Sequence, residues 1–201
     1  MLLHFYVEEP SAEAALIELV PRILNGYEYD YDIFPFQGKH ALLRNLPNRL
    51  KAYHHRTGND WRVIVLIDRD DQDCIQLKSH LEHITHEAGL TTRSNSPSQF
   101  QVINRLAIEE LEAWFFGDVE ALVAAYSRVD PHLARQAPYR DPDAIRSGTW
   151  EKLELILKPH HPGGLEKIRA AEEISRHMQP DRNRSKSFQV FRDALIDIFL
   201  T

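Results

Sequence analysis

The segment Trp61–Ile67 constrains the fold of this chain more than any other. All of its residues except Arg62 are apolar, and such an unbroken apolar run is typical of a central strand of a parallel sheet, which is covered on both faces. Charged residues follow at once, from Asp68 to Asp71. The run therefore predicts a buried strand that ends in a group of carboxylates.

Strand-like and helix-like segments alternate around this run. Further strands are predicted at residues 2–7, 29–36 and 100–108, and helical patterns begin near residues 11, 38, 72 and 109. The second helical pattern closes at Thr57-Gly58-Asn59, and the third is expected to bury Ile75, Leu77, Leu81 and Ile84. Strands that alternate with helices pair in parallel through right-handed crossovers. The sequence therefore predicts an α/β fold with a mainly parallel, Rossmann-like sheet flanked by helices.

From about Val119 onward the pattern is helical and is interrupted by prolines. The breaks fall near Pro131, Pro138, Pro142, Pro159 and Pro162. A chain of 201 residues with 43% apolar content is long enough to form a core without disulfides or bound metal as staples. We expect an α/β core over residues 1–118 and a helical extension over residues 119–201 that packs on it.

Composition favours a cytoplasmic protein that is not attached to a membrane. The single cysteine, Cys74, has no internal partner for a disulfide, and the N-terminal residues do not resemble a secretion signal. No run approaches the roughly 18 to 20 apolar residues that cross a bilayer. The chain carries 24 basic and 30 acidic residues and a net charge of −6, which argues against coating nucleic acid through bulk positive charge.

Acidic residues follow two of the predicted strands where each strand ends. Glu8 and Glu9 follow the first strand, and Asp68 and Asp70 follow the central one. Ligands of parallel sheets collect beyond the carboxyl ends of the strands, and residues two apart on extended backbone project to the same side. Crowded carboxylates must be protonated or offset by a cation, and Mg²⁺ or Mn²⁺ favours their oxygens. Glu8, Asp68 and Asp70 therefore predict a metal site, whereas an isolated Asp-x-Asp would more often be a solvated turn.

Glu112 is a further candidate metal ligand. It lies after the fourth predicted strand, on a helix that the apolar residues Trp114, Phe115 and Phe116 should anchor to the core. The alternative is an ordinary, partly exposed acid. Glu109 and Glu110 are expected to stabilise the start of that same helix through its macrodipole.

Three cations are candidate contacts to a phosphate: Lys39, Arg184 and Lys186. The pair Gly38-Lys39 lacks the spacing of a P-loop, so its alternative is a plain helix start. The segment 182–187 carries three cations and two hydroxyls, and its alternative is a solvated linker with a capping serine. Folded back on the acids, such cations would stabilise the charge that develops in phosphoryl transfer.

The acidic motifs resemble the TOPRIM fold, which topoisomerases, primases and overcoming-lysogeny-defect nucleases share. The resemblance lies in Val7-Glu8-Glu9-Pro10-Ser11 and in Ile67-Asp68-Arg69-Asp70. It implies that Glu8 is a general acid or base and a metal ligand, and that Asp68 and Asp70 bind Mg²⁺. The glycine that usually follows the glutamate is Glu9 in this chain.

A closer resemblance covers nearly the whole chain. The segments Phe36-Gln37-Gly38-Lys39, Glu109-Glu110-Leu111-Glu112-Ala113-Trp114 and Ser185-Lys186-Ser187-Phe188 are similar to the bacterial domain-of-unknown-function family 4276, a TOPRIM-like group. That resemblance implies work beside an ATPase in defence against phage.

The leading hypothesis from the sequence is a Mg²⁺-dependent enzyme that cleaves phosphodiesters of DNA or RNA, controlled by an ATPase partner. Glu8 would be the acid or base, Asp68 and Asp70 the metal ligands, and Glu112 an accessory ligand. A non-catalytic regulatory or scaffold subunit of TOPRIM-like shape is the rival. The acids alone also leave open a phosphatase or phosphotransferase that acts on small molecules.

Overall fold

The computed structural model describes residues 1–56, 58, 60–161 and 164–200. These residues form one four-stranded parallel sheet with the order β2-β1-β3-β4. The strands are β1 (Leu2–Val7), β2 (Asp30–Pro35), β3 (Trp61–Asp68) and β4 (Val102–Ala107). The predicted parallel α/β fold is confirmed, with all four strands close to their predicted positions.

Helices alternate with the strands and then continue alone. The first four are α1 (Pro10–Ile23), α2 (Lys39–Lys51), α3 (Cys74–Glu87) and α4 (Glu112–Gly117). The later ones are α5 (Val119–Ala125), α6 (Thr149–Leu157), α7 (Lys167–Ser175) and α8 (Lys186–Ile196), with 3-10 turns at Leu133–Arg135, Ala137–Tyr139, Pro142–Ala144 and Asp197–Phe199. Thr57 and Asn59, from the predicted end of the second helix, and Pro162 lie outside the described residues. No helix in the described ranges has the length and apolar character needed to span a membrane.

β3 is the centre of the fold, as its sequence predicts. It pairs with β1 on one side and with β4 on the other, and all of its residues except Arg62 are buried. Ile64 and Leu66 face one apolar cluster, which contains α1 residues, whereas Val63 and Val65 face a second one, which contains residues of α2 and α3. Two buried faces account for a strand that is apolar at nearly every position.

The apolar cluster on the α1 side also contains the C-terminal helices. Phe188 and Phe191 of α8 pack there around Trp114 of α4, and α7 packs along α1. Residues on both sides of position 118 therefore share one apolar cluster. The later helices lie against the same face of the sheet as α1.

The prediction that Ile75 faces inward is wrong. Its side chain is 76% exposed, whereas Leu77, Leu81 and Ile84 are buried as predicted. The three buried residues follow one another at spacings of four and three along α3, so they share a face. Ile75 is two positions from Leu77 and lies on the opposite side of the helix.

Glu110 stabilises a different helix from the one that was predicted. Its Oε2 accepts hydrogen bonds from the backbone N–H of Thr149 at 2.8 Å, from the Thr149 hydroxyl at 2.7 Å and from the N–H of Trp150 at 2.9 Å. The first donors of α6 have no partner within the helix, and an acid at the positive end of the helix dipole satisfies them. Glu110 therefore joins the end of the sheet to α6 across 39 positions of the chain.

Replacing Glu110 by alanine is expected to destabilise the protein by about 1–3 kcal/mol, because the α6 donors lose a charged acceptor. The free energy of unfolding from urea titration is the measurement. Glu87→Ala, which changes a well-exposed glutamate, is the control and should cost less than about 0.5 kcal/mol. Equal losses in the two variants would contradict the role given to Glu110.

Candidate functional site

Glu8 and Asp68 meet at the carboxyl ends of two neighbouring strands. β1 and β3 pair in register up to Val7 and Leu66, so Glu8 comes one residue short of the level of Asp68, the last residue of β3. The backbone N–H of Asp68 donates a hydrogen bond to Oε2 of Glu8 at 3.2 Å. The structure thus brings together two predicted site residues that are 60 positions apart.

Asp70 does not lie on extended backbone, so the argument that pointed its carboxylate to the same side as that of Asp68 was wrong. β3 ends at Asp68, and Asp70 has a φ of 49°, in the left-handed region. Its carboxylate binds Nζ of Lys39 at 2.6 Å, and the same ammonium donates to the carbonyl of Arg69 at 3.2 Å. Two further predicted site residues are therefore paired with each other at this edge.

The charges of Lys39 and Asp70 both act on the carboxyl of Glu8. Burial raises the pKa of the Glu8 carboxyl, and the negative charges of Asp70 and Glu9 raise it further. The hydrogen bond from Asp68 and the nearby ammonium of Lys39 lower it and only partly offset the burial. Glu8 therefore holds a proton more readily than a glutamate in water.

Asp68 and Glu112 are two buried carboxyl groups that influence each other. Asp68 is 7% exposed and Glu112 is fully buried, at the start of α4. Neither carboxylate oxygen of Glu112 has a hydrogen-bond partner among the described residues. Burial raises the pKa of Asp68 well above its ordinary value, and the negative charges of Glu112 and Glu8 raise it further. Burial likewise raises the pKa of Glu112 to about 7.

Lys167 is the main member of the site that the sequence argument missed. It is the first residue of α7, its Nζ lies 3.6 Å from Oε1 of Glu112, and it contacts Oε1 of Glu9 closely. The ring of Trp150 lies 5.6 Å from the ammonium. One sequence signal was available, because a lysine in the first turn of a helix faces the unfavourable end of the dipole and needs another reason to be there.

The acids suit a divalent cation in their chemistry but not in their placement. Carboxylate oxygens are the ligands that Mg²⁺ prefers, and neither oxygen of Glu112 has a hydrogen bond within the described ranges. Within the described ranges, however, no group of three or more Asp, Glu, His or Cys side chains is arranged to hold a metal ion. An ammonium, that of Lys167, lies against two of the acids instead.

Two of the predicted phosphate contacts are held away from the acids, Arg184 through its side chain and Lys186 through its backbone. Arg184 donates to the carbonyls of Arg140 at 3.1 Å and Phe116 at 3.3 Å. Asp143 accepts from the backbone N–H of Lys186, and Ser185 caps α8, as its alternative interpretation had it. The lysine lines a cavity of about 340 Å³ together with Lys78, Asn104, Arg105, Leu106, Ile108, Asp143, Ser187 and Val190. Their role toward a phosphate stays a prediction.

Comparison with known proteins gives a family for the chain. The model of the family described as Domain of unknown function (DUF4276) matches residues 7–196. The chain belongs to this family. The match runs from the last residue of β1 to the last residue of α8, so it includes every residue of the site. No curated protein and no solved structure matches the chain, and the family description gives no activity, so function has to be argued from the site.

The raised pKa of Glu112 predicts a pH dependence of stability. Between about pH 4.5 and 7 the folded state binds a proton that the unfolded state releases, so the free energy of unfolding should fall as the pH rises through this range. In the Glu112→Gln variant the free energy of unfolding should fall by about 1–3 kcal/mol less over the same pH range. Urea unfolding from pH 4.5 to 8 is the measurement.

The exposed Glu154 provides the control for this titration. In the Glu154→Gln variant the free energy of unfolding should change with pH as it does in the unchanged protein. A Glu112→Gln curve with the same slope as the unchanged protein would contradict the argument.

Proposed function

We propose that this chain is a nuclease that hydrolyses phosphodiesters of DNA or RNA with the help of Mg²⁺ or Mn²⁺. The observation that carries the proposal is Glu112, a wholly buried carboxylate without a hydrogen-bond partner in the described part of the chain, beside the buried Asp68. Burying acids in this way costs free energy, and groups with strongly perturbed pKa values concentrate at functional sites. Their position beyond the carboxyl ends of parallel strands is where such folds bind ligands.

Each residue has a role that follows from its surroundings. Glu8 would act as general acid or base, since burial raises the pKa of its carboxyl above the ordinary value and so favours proton transfer. Asp68, Asp70 and Glu112 would supply oxygens to the cation. Lys39, which is already paired with Asp70, would contact the phosphate. The likeness of the acidic motifs to TOPRIM enzymes supports the same assignment.

The partner and the setting are further parts of the proposal. An ATPase that controls cleavage, a role in defence against phage, a cytoplasmic location and phosphate contacts from Arg184 and Lys186 rest on the family likeness and on the composition and sequence of the chain. A gene for an ATPase beside the gene for this chain would support the first two.

One observation favours a second candidate, a non-catalytic scaffold or regulatory subunit. Lys167 supplies a positive charge to Glu9 and Glu112, so the cluster could serve as an internal ion network that holds α7 to the sheet. In that case neither cleavage nor binding of a divalent cation would be found. The two candidates therefore differ in what a metal titration records.

The nuclease proposal predicts that Asp68→Asn lowers cleavage of plasmid and single-stranded DNA by about 100-fold or more in Mg²⁺ or Mn²⁺, because an ionisable oxygen is lost from the site. RNA is a parallel substrate. The initial rate of product formation on gels is the measurement. Asp71→Asn, a change at an exposed acid three positions along the chain, should keep the full rate.

Circular dichroism of the Asp68→Asn variant checks that the loss is not one of folding. Equal cleavage by this variant and the unchanged protein would remove the assignment. No cleavage by the unchanged protein, together with no heat of Mg²⁺ binding in calorimetry, would favour the scaffold.

A further inference from the structure

We propose that the ammonium of Lys167 is a built-in counter-ion that competes with a divalent cation for the carboxylates of Glu112 and Glu9. Nζ of Lys167 lies 3.6 Å from Oε1 of Glu112 and closely contacts Oε1 of Glu9. The inference rests on the proposed function for the identity of the competing ion. It explains why acids of the right chemistry are not gathered around one point.

When its acids are ionised, the cluster carries more negative than positive charge. The carboxylates of Glu9, Asp68 and Glu112 share the one ammonium of Lys167, and the positive charge of Lys167 acts on all three. Lys167 also does not satisfy Glu112 fully, since 3.6 Å is longer than a hydrogen bond and both oxygens of Glu112 lack such a bond within the described ranges. A buried, orphaned acid beside an incomplete counter-charge points to a cation that binds more fully.

Rigid elements bring Lys167 to the acids. α7 packs along α1, which begins just after Glu9, and Trp150 of α6 lies beside the ammonium. Glu110 in turn fixes the first residues of α6. The backbone at Lys167 is thus held in place, while its side chain is a flexible stem with a compact charge at the tip. The ammonium can leave Glu112 by rotation of that stem, with no movement of α7.

Competition of this kind has a measurable signature in Lys167→Met, which keeps the length of the side chain but not its charge. The ammonium of Lys167 and a bound Mn²⁺ repel each other strongly at a buried site. Removing the ammonium should therefore lower the dissociation constant for Mn²⁺ by about tenfold or more. Calorimetric titration of the full chain with MnCl₂, and separately with MgCl₂, is the measurement. The rise of Tm with MnCl₂ should be larger in the variant as well.

Lys78→Met is the matched control. The side chain of Lys78 is 27% exposed, against 28% for Lys167, and it is also paired with an acid, Glu82, at 2.8 Å. The Lys78→Met variant loses the same charge at a pair outside the carboxylates that are proposed to bind the cation. Its Mn²⁺ affinity should equal that of the unchanged protein.

A second variant keeps the test decisive in case Lys167→Met does not fold. Lys167→Met combined with Glu112→Gln removes one charge of each sign, so it should fold without added ions and gain less Tm from Mn²⁺ than Lys167→Met does. If Lys167→Met is unfolded alone and folds on addition of Mn²⁺, the inference is supported. If it stays unfolded in Mn²⁺, the inference is overturned.

The remaining outcomes separate the inference from the proposed function. Equal affinities in Lys167→Met and the unchanged protein overturn the counter-ion role and leave the nuclease proposal intact, because that proposal is tested by cleavage. Binding by the variant alone supports the inference. No heat with either protein overturns both the inference and the metal dependence of the proposed function.

Discussion

Carboxylates that are removed from water keep their charge only when cations or hydrogen bonds replace the lost hydration. This constraint organises the chain around Glu112, which is fully buried and has Lys167 as its nearest cation in the described structure. The lysine comes from α7, far along the chain, so α7 must pack against α1 and α4 for the acid to be tolerated. The early strands and the late helices therefore depend on each other.

Local sequence patterns predicted the sheet well. The buried strand β3 could be recognised because a strand covered on both faces must be apolar at nearly every position, from Val63 to Ile67. The proximity of Glu8 and Asp68 followed from two facts: Glu8 follows β1 and Asp68 ends β3, and parallel strands end at the same edge of a sheet. Neither step required knowledge of a contact between distant side chains.

The features that were missed all depend on the detailed path of the chain or on distant partners. Asp70 was placed by assuming that β3 remains extended, but β3 ends at Asp68 and Asp70 itself adopts a left-handed backbone conformation. Glu110 looked like the start of its own helix and instead binds α6, because α4 begins only at Glu112. Lys167 belongs to no motif, and its place in the first turn of α7 signals a partner without indicating which acids it meets. Such pairings are set by tertiary packing, which local periodicity does not encode.

The energetics of the ion cluster bear on whether it serves stability or function. A buried ion pair is often no more stable than well-packed apolar residues of similar volume, because desolvation offsets the attraction. An acid such as Glu112, whose oxygens lack hydrogen bonds within the described structure, contributes still less to stability than a fully hydrogen-bonded ion pair. If stability were its only purpose, a leucine or methionine at this buried position on α4 would serve better. The proposed binding of a divalent cation at this edge of the sheet would account for the cost of keeping Glu112 and Asp68 buried beside the ammonium of Lys167.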